Sequence, residues 1–459
     1  MKRRGFSPTT RTFQTMLTGL SRIENWSTHT KQLANARSVY DSFQRHMNSV
    51  KKDEKNSSEL SVDPLAAYIK VLGNAGHLQE IFDVYYAMDS EGPLAPNQFI
   101  YTAMFQALSA CSDKDCIKAA SDAKLLWTQM QKASQKPPGF QVDAFIVTSA
   151  VAALSRGRPT DQMLALQIVQ GYFGLTAPDI PSSPGIIPLA PQSFAAILRL
   201  CNNSGKHHLC DHFLQQVKKR PEASGGASIL DRAHIEEVLK ARLALQGSGL
   251  ARYCLDTLEW MLREEITGHN GPKIRPALST YNIVLTACWR DVDWRSAART
   301  FDLMTGYHSH DFMDGAVSNN PRLQKRAPDR NLIPTAETLS TLMRTALASH
   351  SRANLRQCLR VVDFLGIKQY FTQDNTRAES NKANKNRAFY ASKLASAIIE
   401  AVTDLSNHEG KTSETELRRW RDLADQVKEA VRLGPTTDFI PATKEKYTKT
   451  RLTQYEKTL

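Results

Sequence analysis

Two stretches far apart in the chain carry the same spacing of apolar and polar positions. From Pro276 the apolar residues fall at Leu278, Tyr281, Ile283, Val284 and Leu285, and after a polar break at Ala297, Phe301 and Met304. From Pro8 they fall at Phe13, Met16 and Leu17, then at Ala36, Val39, Tyr40 and Phe43. Apolar residues three and four apart line one side of a helix, so each stretch predicts two amphipathic helices joined by a turn. One such pair cannot bury its own apolar faces, and its recurrence predicts a stacked array whose neighbours cover them. The fold expected is all-α: an α-solenoid of helix-turn-helix hairpins, with function along a face instead of in a pocket.

Six more copies follow the same grammar. The second runs through Leu65, Tyr68, Ile69 and Leu72, then Ile81, Val84, Tyr85 and Met88 to Gly92. The third has Tyr101, Met104, Phe105 and Leu108, a turn lengthened by Cys111 to Lys118, then Ala123, Leu126, Trp127 and Met130. The fourth pairs Ile146, Val147 and Leu154 with Ala165, Ile168 and Tyr172, and the fifth pairs Phe194 and Ile197 with Phe213 and Val217. Ile235 and Val238 with Leu258 and Met261 make the sixth, and Leu339 and Leu342 with Cys358 and Val362 the eighth. Glycines such as Gly76 and prolines such as Pro93 and Pro96 end these helices. Uneven spacing is explained by inserts at 46–61, 178–191, 221–230 and 308–330, which in solenoids map to loops.

Residues 10–366 are thus read as about eight degenerate repeats with loop insertions. Gln373 to Arg387 reads as polar and flexible, and 388–433 as a C-terminal helical pair that caps the array with a charged outer face of Glu416, Arg418, Arg419, Arg421 and Asp422. The stretch 434–459 reads as a mobile tail. Met1, Gly5 and Pro8 stand where the end of a second helix, its glycine and its proline should be. Residues 1–9 are therefore expected to close an incomplete upstream repeat, with further repeats and a presequence missing from the chain.

Composition narrows the partners. The chain has 459 residues, and its net charge of +13 and pI near 9.3 fit a polyanionic partner, nucleic acid above others. Its longest apolar stretch, Ala144 to Leu154, is too short to cross a bilayer. Seven cysteines within amphipathic segments suit reduced thiols better than a disulfide scaffold. Cys201, His207, His208 and Cys210 superficially suggest metal ligation, but they flank a helix turn at a spacing of no common zinc motif, so no metal is expected. The chain lacks a phosphate-binding Gly-rich loop, a Gly-x-Ser-x-Gly elbow and a His-Glu-x-x-His, and an enzyme, a cofactor or a small-molecule substrate is not expected.

The units resemble pentatricopeptide repeats, and the fungal mitochondrial branch of that family in particular. The resemblance rests on Pro-x-x-x-Thr-aromatic, followed by Ala sixteen residues beyond the aromatic and Met seven later. Pro276, Thr280, Tyr281, Ala297 and Met304 match it throughout. It covers about the first four-fifths of the chain. The Trp/Leu/Gly/Tyr signature of tetratricopeptide repeats is not seen.

The resemblance implies a right-handed superhelix that binds single-stranded RNA at one base per repeat along its first helices. In the family, the polar residue after the first-helix aromatic and the last residue of the repeat choose the base, and an apolar residue two before the aromatic wedges between bases. Carried over, the third repeat has Phe99 as wedge, Thr102 facing the base and Asp143 closing, the pairing that the family uses for guanine. The fourth offers Phe145 and Thr148 but closes on Ala190. The seventh offers Asn282 with Thr335, and Asn97 closes the second. Wedge positions Arg11, Asp63, Gln192, Ser279 and Glu337 are polar, which departs from a base-by-base reader. Arg322, Lys325 and Arg326, in the basic 308–330 insert, read either as a solvated loop or as phosphate contacts. The function implied is stability, processing, splicing or translation of a transcript in the mitochondrial matrix, with mRNA, intron or rRNA as partner. The rivals are a structural or assembly role on the mitochondrial ribosome, and a protein–protein scaffold.

Overall fold

The computed structural model describes residues 7–433, apart from 24, 54–56, 137–138, 182–184, 246, 269, 317–319, 329, 368–369, 371–380 and 408–412. The expected upstream half-repeat and the expected tail therefore lie largely or wholly outside the described residues. Among those residues the regular structure is helical, and Tyr307 and Leu323 form an isolated antiparallel bridge. No helix among them is long and apolar enough to cross a membrane.

The chain divides into two units, Met1–Ala244 and Leu245–Leu459. The first contains α1 (Thr10–Leu20), α2 (Thr30–Asp53), α3 (Asp63–Ala75), α4 (Leu78–Tyr86), α5 (Gln98–Ser109), α6 (Cys116–Gln135), α7 (Ala144–Leu154), α8 (Pro159–Phe173), α9 (Pro191–Asn203), α10 (His207–Lys219) and α11 (Arg232–Leu245), whose last residue falls in the second unit. Within it α1, α3, α5, α7 and α9 pack side by side in chain order, each even helix packs on the odd helix of its own pair, and α2, α4, α6 and α8 also pack on the next. The second unit contains α12 (Leu250–Thr267), α13 (Leu278–Asp291), α14 (Trp294–Thr305), α15 (Ala336–Ala348), α16 (Arg352–Leu365), α17 (Asn381–Ser406) and α18 (Glu414–Leu433). There α12, α13, α15 and α17 form the row, with α14, α16 and α18 packed on their partners. These stacked helical pairs are the helix-turn-helix repeats that the apolar spacing implies.

The threonine of the repeated motif has a local cause. Helix starts leave N–H groups without intrahelical partners. Thr12 Oγ1 accepts from Thr9 N at 3.3 Å, Thr280 Oγ1 from Ala277 N at 3.1 Å and Thr338 Oγ1 from Thr335 N at 3.2 Å, one half of a capping box in each case. The residue after each, Phe13, Tyr281 or Leu339, then points into the core, all 4% exposed or less.

Several boundaries differ from those read in the sequence. Helix α2 continues through His46 to Asp53 with Met47 buried, so the first insert is shorter than expected. Helix α4 stops at Tyr86, leaving Met88 beyond it, and α6 already begins at Cys116. Helix α17 starts at Asn381, within the stretch expected to be flexible. Polar residues carry no apolar period, yet Lys, Asn and Arg are tolerated in a helix. The 308–330 insert is solvent-exposed over 322–325 yet tied to the fold: Arg322 N donates to Asp311 at 2.7 Å, and Gln324 N and, just beyond it, Leu332 N donate to Gly306 O and Met304 O. In the capping pair, Glu416 pairs with Arg360 at 2.8 Å, and Arg419, exposed on the charged outer face, also reaches Asp363 at 2.6 Å on α16.

Close packing in the first row is visible at Gly73. A Cβ there would lie 2.6 Å from Ala107 Cβ and 3.1 Å from its Cα, across the α3–α5 contact. Glycine to alanine inside a helix ordinarily gains about 1 kcal/mol in propensity. Here the backbone of α5 stands in the way, and overpacking of this kind costs about 1–3 kcal/mol. Gly73→Ala is therefore expected to lower stability, read as an earlier midpoint in urea unfolding; a later midpoint would show that the rows are looser than described.

His234, fully buried at the start of α11, supplies a second test. Its Nε2 donates to Pro191 O at 2.8 Å and its Nδ1 accepts from Asp231 N at 3.0 Å, which sets the neutral tautomer. Burial lowers its pKa below the ordinary value. The unfolded chain thus binds the proton more tightly, so the stability His234 contributes is full above about pH 6.5 and falls as pH drops through that value toward the folded pKa. The thermal midpoint is expected to fall between about pH 7 and pH 5, and His234→Gln to flatten that slope. An unchanged slope in the variant would remove His234 from this account.

Candidate nucleic-acid interface

Once neighbours have packed, each odd helix of the first unit keeps one strip toward solvent. On α5 it carries Phe99, Thr102 and Gln106, and on α7 Phe145, Thr148 and Ala152, three and seven residues apart. The flanking strips carry Asp63, Ala66 and Lys70 on α3, and Gln192, Ala195 and Arg199 on α9. Because α3, α5, α7 and α9 are consecutive in the row, these strips lie side by side.

Phe99 and Phe145 occupy the second position of adjacent row helices and are 57% and 69% exposed. Burying a Phe side chain is worth about 1.5–3 kcal/mol, and neither ring takes that gain within the fold. A single exposed aromatic needs no explanation, but two at equivalent positions of packed neighbours form a platform.

The positions expected to close repeats are helix caps. Asn97 Oδ1 accepts from Phe99 N at 3.0 Å and Ile100 N at 3.1 Å, and Asp143 Oδ1 accepts from Ile146 N at 2.9 Å. Thr102 Oγ1 donates its proton to Gln98 O at 2.8 Å, so toward solvent it offers lone pairs only. Thr102 and Asp143 are then both acceptors. Thr148 Oγ1 lies 2.6 Å from Ser193 Oγ and links α7 to α9.

The other expected contacts are engaged inside the second unit. Asn282 is 9% exposed and its Oδ1 accepts from Thr338 Oγ1 at 2.8 Å, bridging α13 to α15. Arg322 grips both oxygens of Asp311, with a closest approach of 2.7 Å. That guanidinium holds the Asp311 carboxyl below the usual carboxylate range. Arg326 donates to Leu303 O and to Asp302 O at the end of α14, as cations do at helix C-termini. These two arginines are thus structural ties, and of Arg322, Lys325 and Arg326 only Lys325 is exposed with no ion pair among the described residues. Cys201 and Cys210 face each other in the core, where their mutual hydrogen bond and burial push the Cys201 thiol up, while His208 is exposed. Protonated thiols are poor metal ligands.

The sequence reading missed Lys70 and Arg199. Both are exposed, and neither forms an ion pair among the described residues. Each lies seven residues beyond the wedge position of its helix, between buried neighbours (Ile69 and Val71, Leu198 and Leu200), so the signal was the strip itself. Lys240 holds the same place on α11 but pairs with Glu237 at 2.9 Å.

No family model matches the chain, and no curated protein matches it. Among solved structures it is similar to the pentatricopeptide repeat protein PPR10 from maize, at 15% identity and a TM-score of 0.36, over 94% of this chain and 56% of that one. It is also similar to an engineered protein solved by the Northeast Structural Genomics Consortium, at 11% identity and a TM-score of 0.31, over 92% of this chain and the whole of that one. The chain thus spans little more than half the length of the maize protein.

Proposed function

We propose that the chain is a non-catalytic, pentatricopeptide-type protein that binds single-stranded RNA across α3, α5, α7 and α9. The observation carrying this reading is the exposed pair Phe99 and Phe145 on adjacent row helices, flanked by Lys70 and Arg199. Rings at one helical level, with cations about two turns further along, match a strand whose bases stack on aromatics and whose phosphates are held by point charges. Thr102 and Asp143 present two acceptors, and the Watson–Crick edge of guanine presents two adjacent donors. Guanine is therefore the base best suited to the third repeat.

The transcript is assigned to mitochondria through the family resemblance, with a role in its stability, processing, splicing or translation. The polar wedge positions Arg11, Asp63, Gln192, Ser279 and Glu337 favour a second reading, a structural role on the mitochondrial ribosome in which rRNA is held by shape and charge. Crosslinking with RNA sequencing from cells separates them: one mRNA or intron peak supports the first, rRNA peaks the second, and absence of RNA defeats both.

Loss of a stacked base costs about 1–3 kcal/mol, so Phe99→Ala and Phe145→Ala should each weaken single-stranded RNA binding by roughly 5- to 150-fold. Fluorescence anisotropy on a short oligomer gives the measurement, and affinity unmoved by both changes would place the RNA elsewhere. Lys70→Gln and Arg199→Gln should each lower the slope of log affinity against log salt by about 0.7. For the guanine assignment, Asp143→Asn keeps a good helix cap while altering the base-facing group. It is expected to reduce preference for guanine at one position; an equal loss across all bases would contradict readout there.

A further inference from the structure

The second unit contains a cavity that the RNA-binding face does not use. The last turn of α12, residues 275–281 and the stretch 324–332 enclose about 220 Å³. Leu262, Ile266, Pro276 and Leu332 give it an apolar wall. Its charged lining is unbalanced, with Arg275, Arg326 and Arg330 against the single carboxylate of Glu265.

The bonding explains part of that lining and leaves part over. Glu265 has only 3% of its side chain exposed, and its Oε1 alone receives both Arg275 Nε at 2.6 Å and Arg330 Nη2 at 3.1 Å. Arg326 is committed to the carbonyls that end α14. Three guanidinium groups and one carboxylate leave a local excess of two positive charges. Arg330 Nε is buried and has no hydrogen-bond partner, an expensive state for a charged donor. Tyr281, whose hydroxyl burial pushes up to about 12, adds a protonated phenol to the lining and no negative charge.

We infer that this cavity binds a phosphate group, which Arg275 and Arg330 grip beside Glu265 while the apolar wall receives the attached organic part. A planar guanidinium offers parallel N–H donors that match phosphate oxygens, and phosphate supplies the negative charge that the lining lacks. The phosphate is either a diester of bound RNA or the monoester of a free nucleotide; the chemistry of the grip is the same. The inference stands on the second unit alone and does not require the aromatic platform.

The test uses the full chain, titrated with inorganic phosphate and then with AMP, followed by ³¹P line broadening and by the thermal midpoint. One saturable site is expected. Arg275→Gln and Arg330→Gln should each weaken it about tenfold or more, and Arg330→Lys should also weaken it, because the charge remains but the fork is lost. Glu265→Gln removes the competing carboxylate and should tighten binding in any variant that retains its helical circular dichroism. Phe99→Ala should leave the phosphate titration unchanged, which keeps this result separate from the RNA reading. Competition between AMP and a short RNA identifies the RNA backbone as the source, and simultaneous binding identifies a free nucleotide. Absence of saturable phosphate binding to the wild-type chain, or binding that folded arginine variants leave untouched, overturns the inference and reduces the cluster to a tie between α12 and its neighbours.

Discussion

The structure depends on how the start of each row helix satisfies its free N–H groups. Row helices pack side by side, and the first N–H groups of each have no partner within their own helix. The chain meets this need in two ways: a side chain before the helix, such as Thr9, Asn97, Asp143 or Asp231, and a side chain at the third helical position that reaches back, such as Thr12, His234, Thr280 or Thr338. A lost cap costs about 0.5–2 kcal/mol, a large fraction of the stability of a domain. The recurrent threonine is therefore a feature of folding before it is a feature of recognition.

This constraint shapes the candidate interface. The residue that closes one repeat is the cap of the next, so a side chain placed to meet a base is first fixed by a backbone donor. Asp143 illustrates this: its Oδ1 caps α7, and the base contact proposed for it would draw on the same carboxylate. Alanine at such a position confounds lost recognition with a frayed helix, whereas asparagine does not. Where the cap has no side-chain acceptor, as at Ala190, the expected base contact is missing as well.

Much of the fold was legible because burying one face of a helix imposes a period on the sequence. Phe13 and Leu17, Tyr101 and Met104, or Ala297 and Phe301 announce their helices by spacing alone, and each is buried as that spacing requires. The period is silent where a helix turns polar, which is why the end of α2 and the start of α17 were assigned to loops. It is also silent about partners distant in sequence. Nothing local in Arg322 or Arg326 tells that one will meet Asp311 and the other the carbonyls of α14. The candidate site was half legible: Phe99, Thr102, Asp143 and Phe145 were reached through the family resemblance, while Lys70 and Arg199 needed knowledge of which strip stays exposed.

The net charge of +13 overstates what is free to meet a polyanion. Arg356 and Arg360 converge on Asp314, Arg360 also reaches Glu416, and Arg344 stacks 3.9 Å over Trp289. In the second unit the face equivalent to the aromatic platform is further closed by the bond between Asn282 and Thr338. Such cations hold the fold together, and their charge is largely neutralised where they stand. What distinguishes the strip across α3 to α9 is the opposite arrangement, rings and cations that the fold itself leaves without partners. On the proposed RNA-binding reading, contact is therefore expected along this strip, and the number of repeats sets no count of bases read.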